Sequence, residues 1–125
     1  MTASLLPMPF DPKSADVMTD STILNSTTRN YVYSLFKADF TKTTLCYRAT
    51  AHGFDVNQFH SRCNHKGASI SLIKTAKGRI FGGFTHLAWR SMNTYVVDAK
   101  AYLFSVDNEE KMSVSAAGTN AIFDH

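Results

Sequence analysis

The sequence predicts an α+β fold, and three observations support this class. Two segments of alternating residues, 69–75 and 79–85, flank a short turn and predict an antiparallel β-hairpin. A stretch that begins at Asp55 carries the local signals of a capped helix. The chain has 125 residues, of which 44% are hydrophobic, and such a chain folds as one domain around one core.

Charge and hydropathy exclude several classes of protein. The formal net charge is +3, but the 13 lysines and arginines are scattered singly, so we expect no nucleic-acid surface. No apolar run approaches the roughly 18 residues of a membrane-spanning helix, and the first ten residues lack a secretory signal. We therefore expect a cytoplasmic protein in which Cys46 and Cys63 are reduced.

The first part of the chain divides into a leader and a helix. Residues 1–20 contain all three prolines and show no stable period, which predicts a flexible leader or a docked arm. Apolar residues then recur at intervals of three and four after a Ser-Thr-Thr start, which predicts a helix over residues 27–37. The domain itself is expected over residues 21–125.

Residues 44–49 alternate in character and predict a strand. Leu45 and Tyr47 would lie on one face, and Cys46 and Arg48 on the other.

The predicted helix after this strand has agreeing signals at both ends. Asp55 is a suitable N-cap, and Gln58 stands at the capping-box position. Phe54 can pack on Phe59 as a hydrophobic staple, and Gly67 provides the stop.

The hairpin that follows contains a paired glycine. Gly78 can adopt the positive φ that its short turn requires. Gly82 and Gly83 weaken the second strand, so they predict a bulge or a group pressed close to the backbone.

Residues 95–106 predict a further long strand with both faces covered, since few of its side chains are polar. A turn at 107–110 then leads to a short strand over 111–114.

An ordered set of motifs within residues 45–105 resembles the TLDc family. The matching residues are Leu45, Cys46, Tyr47, Arg48, Ala49, Gly53, Phe54, Phe59, His60, Cys63, Lys66, Gly67, Ile73, Lys74, Gly78, Phe81, Gly82, Gly83, Trp89, Asp98, Ala101, Tyr102, Leu103, Phe104 and Ser105.

The resemblance implies a fold more specific than the residues alone predict. It implies an antiparallel β-sandwich flanked by short helices, of which this chain resembles the N-terminal half to two thirds. Family members continue beyond the position of His125 into a glycine-rich segment and further strands, so the C-terminal part is expected to be missing. Open sheet edges would then allow homo-oligomers to form.

The resemblance also implies a function. Proteins of this family are linked to oxidative-stress protection, and several bind the vacuolar proton ATPase and modulate its assembly. It implies a non-catalytic protein-interaction module without cofactor or metal. Structural roles would then fall to Arg48, Gly53, Phe54, Phe59, Gly67, Gly82, Gly83, Trp89 and Asp98.

A thiol-based antioxidant enzyme is the alternative hypothesis. Cys63 would be the attacking group and His60 its base, whereas Cys63 also fits a small buried side chain on the face of Phe59. Zinc binding by His60, Cys63 and His65 is disfavoured, because no second paired motif follows them.

Two other motif residues have structural and binding interpretations. Arg48 and Asp98 form a predicted ion pair between strands, or Arg48 faces a partner. Trp89 is expected in the core or covering it, although tryptophan is also common at binding hot spots.

Overall fold

A computed structural model describes residues 17–37, 42–113 and 122–124 of the chain. In these ranges it forms helices α1 (Ser26–Phe36), α2 (Ala49–His52) and α3 (Val56–Cys63), and strands β1 (Ser69–Lys74), β2 (Ile80–Thr85), β3 (Thr94–Val96), β4 (Tyr102–Ser105), β5 (Glu110–Ser113) and β6 (Ile122–Asp124). Every paired set of strands is antiparallel, in a four-stranded sheet β1-β2-β4-β5 and a two-stranded sheet β3-β6. The α+β class is confirmed.

The chain divides into two compact units, residues 1–45 and 46–125. The first contains α1, whose prediction is confirmed with its ends shifted by one residue. Asn25 is the N-cap: its side chain accepts a hydrogen bond from the Thr28 amide at 2.9 Å, and its own amide donates to the Thr28 hydroxyl at 2.9 Å. These two reciprocal hydrogen bonds satisfy two backbone amides that have no carbonyl partner within the helix.

The predicted leader lies largely outside the described residues, since 1–16 are not among them. Val17 is fully buried, and the Met18 amide donates to the Thr43 hydroxyl at 2.6 Å.

The predicted strand over 44–49 is wrong. Residues 42–48 belong to no helix or strand, and Ala49 already begins α2. The His52 amide donates to the Arg48 carbonyl at 2.8 Å, while the Arg48 amide donates to Nδ1 of His52 at 3.0 Å. Alternation predicted the extended backbone at Arg48, but these local hydrogen bonds replace a strand ladder.

The N-cap of α3 is confirmed, but its staple is not, and Gln58 does not form the predicted capping box, since its backbone amide donates to the Asp55 carbonyl at 3.0 Å. Asp55 accepts a hydrogen bond from the Asn57 amide at 2.9 Å. Phe54 is 83% exposed, so it does not pack on Phe59. The ring of Phe59 instead contacts other aromatic residues described below.

The helix ends earlier than predicted, at Cys63 with Asn64 as C-cap. His65 has a φ of 61°, and Gly67 lies beyond it with a φ of 83°. Gly53, between α2 and α3, has a φ of 94°, so both motif glycines occupy the left-handed region that favours glycine.

The hairpin of β1 and β2 is confirmed, with Gly78 at a φ of 83°. Its register is continuous through Gly82 and Gly83, so there is no bulge. A Cβ on Gly82 would lie 2.2 Å from the Ser71 carbonyl oxygen and 2.7 Å from Cζ of Phe104. The alternative prediction, a group pressed against the glycine, is therefore confirmed at Gly82.

The single strand predicted over 95–106 is wrong. The segment forms β3 and β4, which pair in different sheets. Phe104 is 1% exposed whereas Leu103 is 59% exposed, so one face of β4 is covered and the other is open. The predicted final strand is confirmed as β5, shifted by one residue.

Within the described ranges, the structure contains no helix with both the length and the apolar character to cross a membrane.

Candidate functional site

Cys46 and Cys63 are joined in a disulfide, with their Cα atoms 5.4 Å apart. The expectation of two reduced thiols is therefore wrong. Tyr47 follows Cys46, and its ring meets that of Phe59 edge to face at 5.7 Å between centroids. Because Phe59 lies one turn before Cys63 on α3, this contact brings the two sulfurs together.

The thiol enzyme hypothesis requires a thiolate at Cys63, and the disulfide-bonded protein has none. Cys63 is 3% exposed and bonded to Cys46. Nδ1 of His60 is hydrogen bonded to the side-chain oxygen of Asn64 at 2.7 Å. Among the described residues, no three His, Cys, Asp or Glu side chains form a cluster suited to a metal ion.

Trp89 covers the same region from the side of the sheet. Its ring meets Phe59 edge to face at 5.5 Å, and its Nε1 donates to the Ser69 hydroxyl at 3.0 Å. It is half-buried, as expected of a covering residue, and it connects α3 to β1.

Asp98 is held by a set of donors that the sequence did not indicate. The Thr85 hydroxyl donates to it at 2.6 Å, and the amides of His86 and Lys100 donate at 3.1 and 3.0 Å. Nδ1 of His86 is also in contact with it. The predicted partner, Arg48, is not part of this set.

Burial and hydrogen bonding act on the pKa of Asp98 in opposite directions. Burial raises it, while the hydrogen bonds from Thr85, Lys100 and His86 lower it, and the net pKa lies below the ordinary value. The carboxylate is therefore ionised and fixes the end of β2.

Asp124 is a second buried carboxylate, and the sequence analysis did not single it out. It is 2% exposed and accepts from the amides of Arg90 and Ser91 at 2.8 and 2.9 Å. An acidic residue directly after the apolar pair Ile122 and Phe123 was the one available signal.

The four-stranded sheet has an apolar face that we call the outer face. The register places on it Ser71, Ile73, Phe81, Gly83, Leu103, Ser105, Glu110 and Met112. Ile73 is 48% exposed, Phe81 41%, Leu103 59% and Met112 52%. Four large apolar side chains on one sheet surface are unusual for a face that meets only water.

Opposite charges lie at one end of this sheet. The β1–β2 turn carries Lys77 and Arg79, and the β4–β5 turn carries Asp107 and Glu109, all exposed. The Ile80 amide donates to Oδ2 of Asp107 at 2.6 Å, which places both turns at the same end.

The two-stranded sheet exposes an aromatic pair. Tyr95 lies directly opposite Phe123, and their rings meet edge to face at 5.0 Å. Tyr95 is 58% exposed, Phe123 37% and the neighbouring Val97 57%.

A sequence model of the TLDc domain matches residues 17–124, which is most of the chain. The chain belongs to the TLDc family. The predicted resemblance is confirmed, and the disulfide and the two exposed apolar surfaces lie within the matched residues of this chain.

Known relatives share part of this TLDc sequence. It is similar to the mTOR-associated protein MEAK7 of Danio rerio, with 31% identity over 62 residues, which are 50% of this chain and 14% of that protein. The proteins of the same name from Gallus gallus and Xenopus laevis are 31% and 26% identical over 65 residues, 52% of this chain. The aligned part is again 14% of each, so the chain spans a small part of these relatives.

Proposed function

We propose that this TLDc chain is a non-catalytic protein-interaction module whose partner is a subunit of the vacuolar proton ATPase. Its role would lie in protection against oxidative stress. The observation that carries the proposal is the exposed aromatic pair of Tyr95 and Phe123 on the two-stranded sheet.

Aromatic side chains held rigidly at a surface suit protein recognition. Tyrosine provides a large contact area with few rotatable bonds, and such residues dominate the energy of many interfaces. The side chains of a partner can pack on this aromatic pair, which lies on one face of the two-stranded sheet.

The burial of Cys63 supports binding over thiol chemistry. An antioxidant enzyme that uses Cys63 with His60 needs that sulfur to be accessible to its oxidant. The disulfide occupies Cys63, and its side chain is buried.

The name of the relatives suggests a second partner. MEAK7 is described as mTOR-associated, so an assembly that contains mTOR is the alternative partner. The same aromatic pair would serve either protein.

Surface plasmon resonance with the complete chain immobilised tests the proposal against purified vacuolar proton ATPase and a purified mTOR assembly. We expect saturable binding of the ATPase that Tyr95→Ala weakens about tenfold or more. Phe54→Ala is the matched control, because Phe54 is also an exposed aromatic residue, 83% exposed at another site.

Two results contradict the proposal. One is the absence of ATPase binding, or binding that the two variants weaken equally. The other is peroxide consumption by the purified wild type above that of a Cys46→Ser, Cys63→Ser double variant. Binding of the mTOR assembly alone would retain the module and replace the partner.

A further inference from the structure

We propose that the outer face binds a second copy of this chain in a symmetric dimer. The two outer faces would pack against each other. The twofold axis would lie between the two sheets, parallel to the strands and over the boundary between β2 and β4. This surface is separate from the Tyr95 and Phe123 pair on the other sheet, so the inference does not depend on the proposed partner.

The first argument is the arrangement of large and small residues across the sheet. One row of the outer face reads Ser71, Gly83, Leu103 and Met112 from β1 to β5. Rotation by half a turn about the strand direction reverses this order in the second copy. Leu103 then lies over Gly83 of the second copy, and Met112 over its Ser71, so each large side chain meets a small one.

The neighbouring row contains one such pair and one pair of larger side chains. It reads Ile73, Phe81, Ser105 and Glu110 from β1 to β5. In the dimer Phe81 lies over Ser105 of the second copy, and Ile73 over the methylene groups of its Glu110. Two faces that interdigitate in this way can approach to the ~10 Å typical of packed sheets.

The second argument is the charge at the turn end of the sheet. The rotation keeps both turns at the same end but exchanges left and right. Lys77 and Arg79 of one copy then lie over Asp107 and Glu109 of the other, and this contact occurs twice. Opposite charges favour this orientation, and the reverse orientation would lose both contacts.

These two patterns indicate a second copy over an unrelated partner. In an isologous interface every residue must match another residue of the same surface. Here the matching positions lie on a single chain: three of the four pairs place a large residue across from a small one, and acidic residues lie across from basic ones.

A charge-reversal experiment tests the dimer. Variant one is Lys77→Glu, Arg79→Glu, and variant two is Glu109→Lys, Glu110→Lys. Asp107 is left unchanged because its side chain accepts the Ile80 amide. Each variant alone places like charges together at both contacts, whereas an equimolar mixture restores attraction at both.

Molar mass is measured by sedimentation velocity and light scattering over the micromolar range. We expect a dimeric wild type, each variant with a dissociation constant raised at least about tenfold, and recovery of the dimer in the mixture. Leu103→Glu should be monomeric, and Arg62→Glu, an exposed charge change on α3, should remain dimeric. Circular dichroism verifies that each variant folds.

Two results overturn the dimer. A monomeric wild type excludes it, and if Leu103→Glu then weakens binding of the ATPase, the outer face serves that partner instead. A dimer that the two variants leave unchanged, or a mixture that stays monomeric, excludes this geometry. The Tyr95→Ala result is interpreted independently of the oligomeric state, because Tyr95 lies on the other sheet.

Discussion

Removal of the Cys46–Cys63 disulfide should destabilise the TLDc domain by about 3 kcal/mol. The bond closes a loop with a sequence separation of 17 residues. Loop-closure entropy for this length, about 2.1 + 1.5R ln 17 cal/mol/K, gives ~3 kcal/mol at 25 °C. The loop contains α2 and most of α3, so without the bond the denatured chain gains freedom over both helices.

Urea unfolding of the wild type and Cys46→Ala, each with and without dithiothreitol, measures this contribution. Trp89 is the only tryptophan of the chain and contacts Phe59 on α3, so its fluorescence reports the same region. Without reductant the free energies of unfolding should differ by about 3 kcal/mol, and the m-value of Cys46→Ala should be no lower than that of the wild type, because its denatured chain is less compact. With reductant the difference should fall to about 0.5 kcal/mol or less.

The reductant arm serves as the internal control, because it removes the bond without changing the sequence. Equal stability of the two proteins without reductant would refute the reasoning, as would a thiol that reacts with maleimide in the unreduced native wild type. After reduction and unfolding, maleimide should label both cysteines of the wild type.

Three further sets of substitutions test the fold. Gly82→Ala should cost about 2 kcal/mol in urea unfolding, because its Cβ meets backbone, while Gly83→Ala should cost less than about 1 because it meets a side-chain end; equal costs would contradict this. Asp98→Asn should cost about 2 kcal/mol at pH 7. Because the pKa of Asp98 is lowered in the folded protein, this difference in the free energy of unfolding should persist at every pH above ~3.9, the pKa of aspartate in the unfolded chain, and shrink as the pH falls further. A difference that stays constant down to pH 2 would refute the reasoning. Phe59→Ala should cost about 2 kcal/mol in thermal unfolding, and Phe54→Ala, at an exposed residue, less than about 0.5 kcal/mol. A larger cost for Phe54→Ala would contradict this and favour the predicted packing of Phe54 on Phe59.

Local signals in the sequence predicted the local structure well. The cap at Asp55 and the hairpin turn at Gly78 depend on a few neighbouring residues, and both form as predicted. The close approach at Gly82 was also predicted, since a glycine pair inside a strand has few other physical reasons.

Contacts between distant parts of the chain were not predictable in the same way. The disulfide joins residues 17 apart and is accompanied by packing of Tyr47 against Phe59, which no pattern within 44–49 encodes. Alternation also cannot tell a strand from an extended segment without a ladder, and this is why the strand predicted over 44–49 is wrong. The division of 95–106 depends on Asp98, whose donors at Thr85 and His86 come from the preceding strand end.

The candidate surfaces illustrate the same limit. The residue types of β4 indicated an apolar strand, but only the register shows that Leu103 lies beside Gly83 and Met112 on one open face. Likewise, Tyr95 and Phe123 are far apart in sequence, and pairing of β3 with β6 makes them neighbours.

The carboxylate of Asp124 binds the main chain at Arg90 and Ser91, and Asp98 binds it at His86 and Lys100. A carboxylate that recognises peptide groups does not depend on which side chains those peptides carry. Evolution can therefore replace the residue at position 90 with almost any type and keep the path of the loop, since proline alone lacks the required hydrogen. Two buried carboxylates that hold the loops by their backbone would let related domains change the loop side chains, and with them the binding specificity, while the fold stays the same.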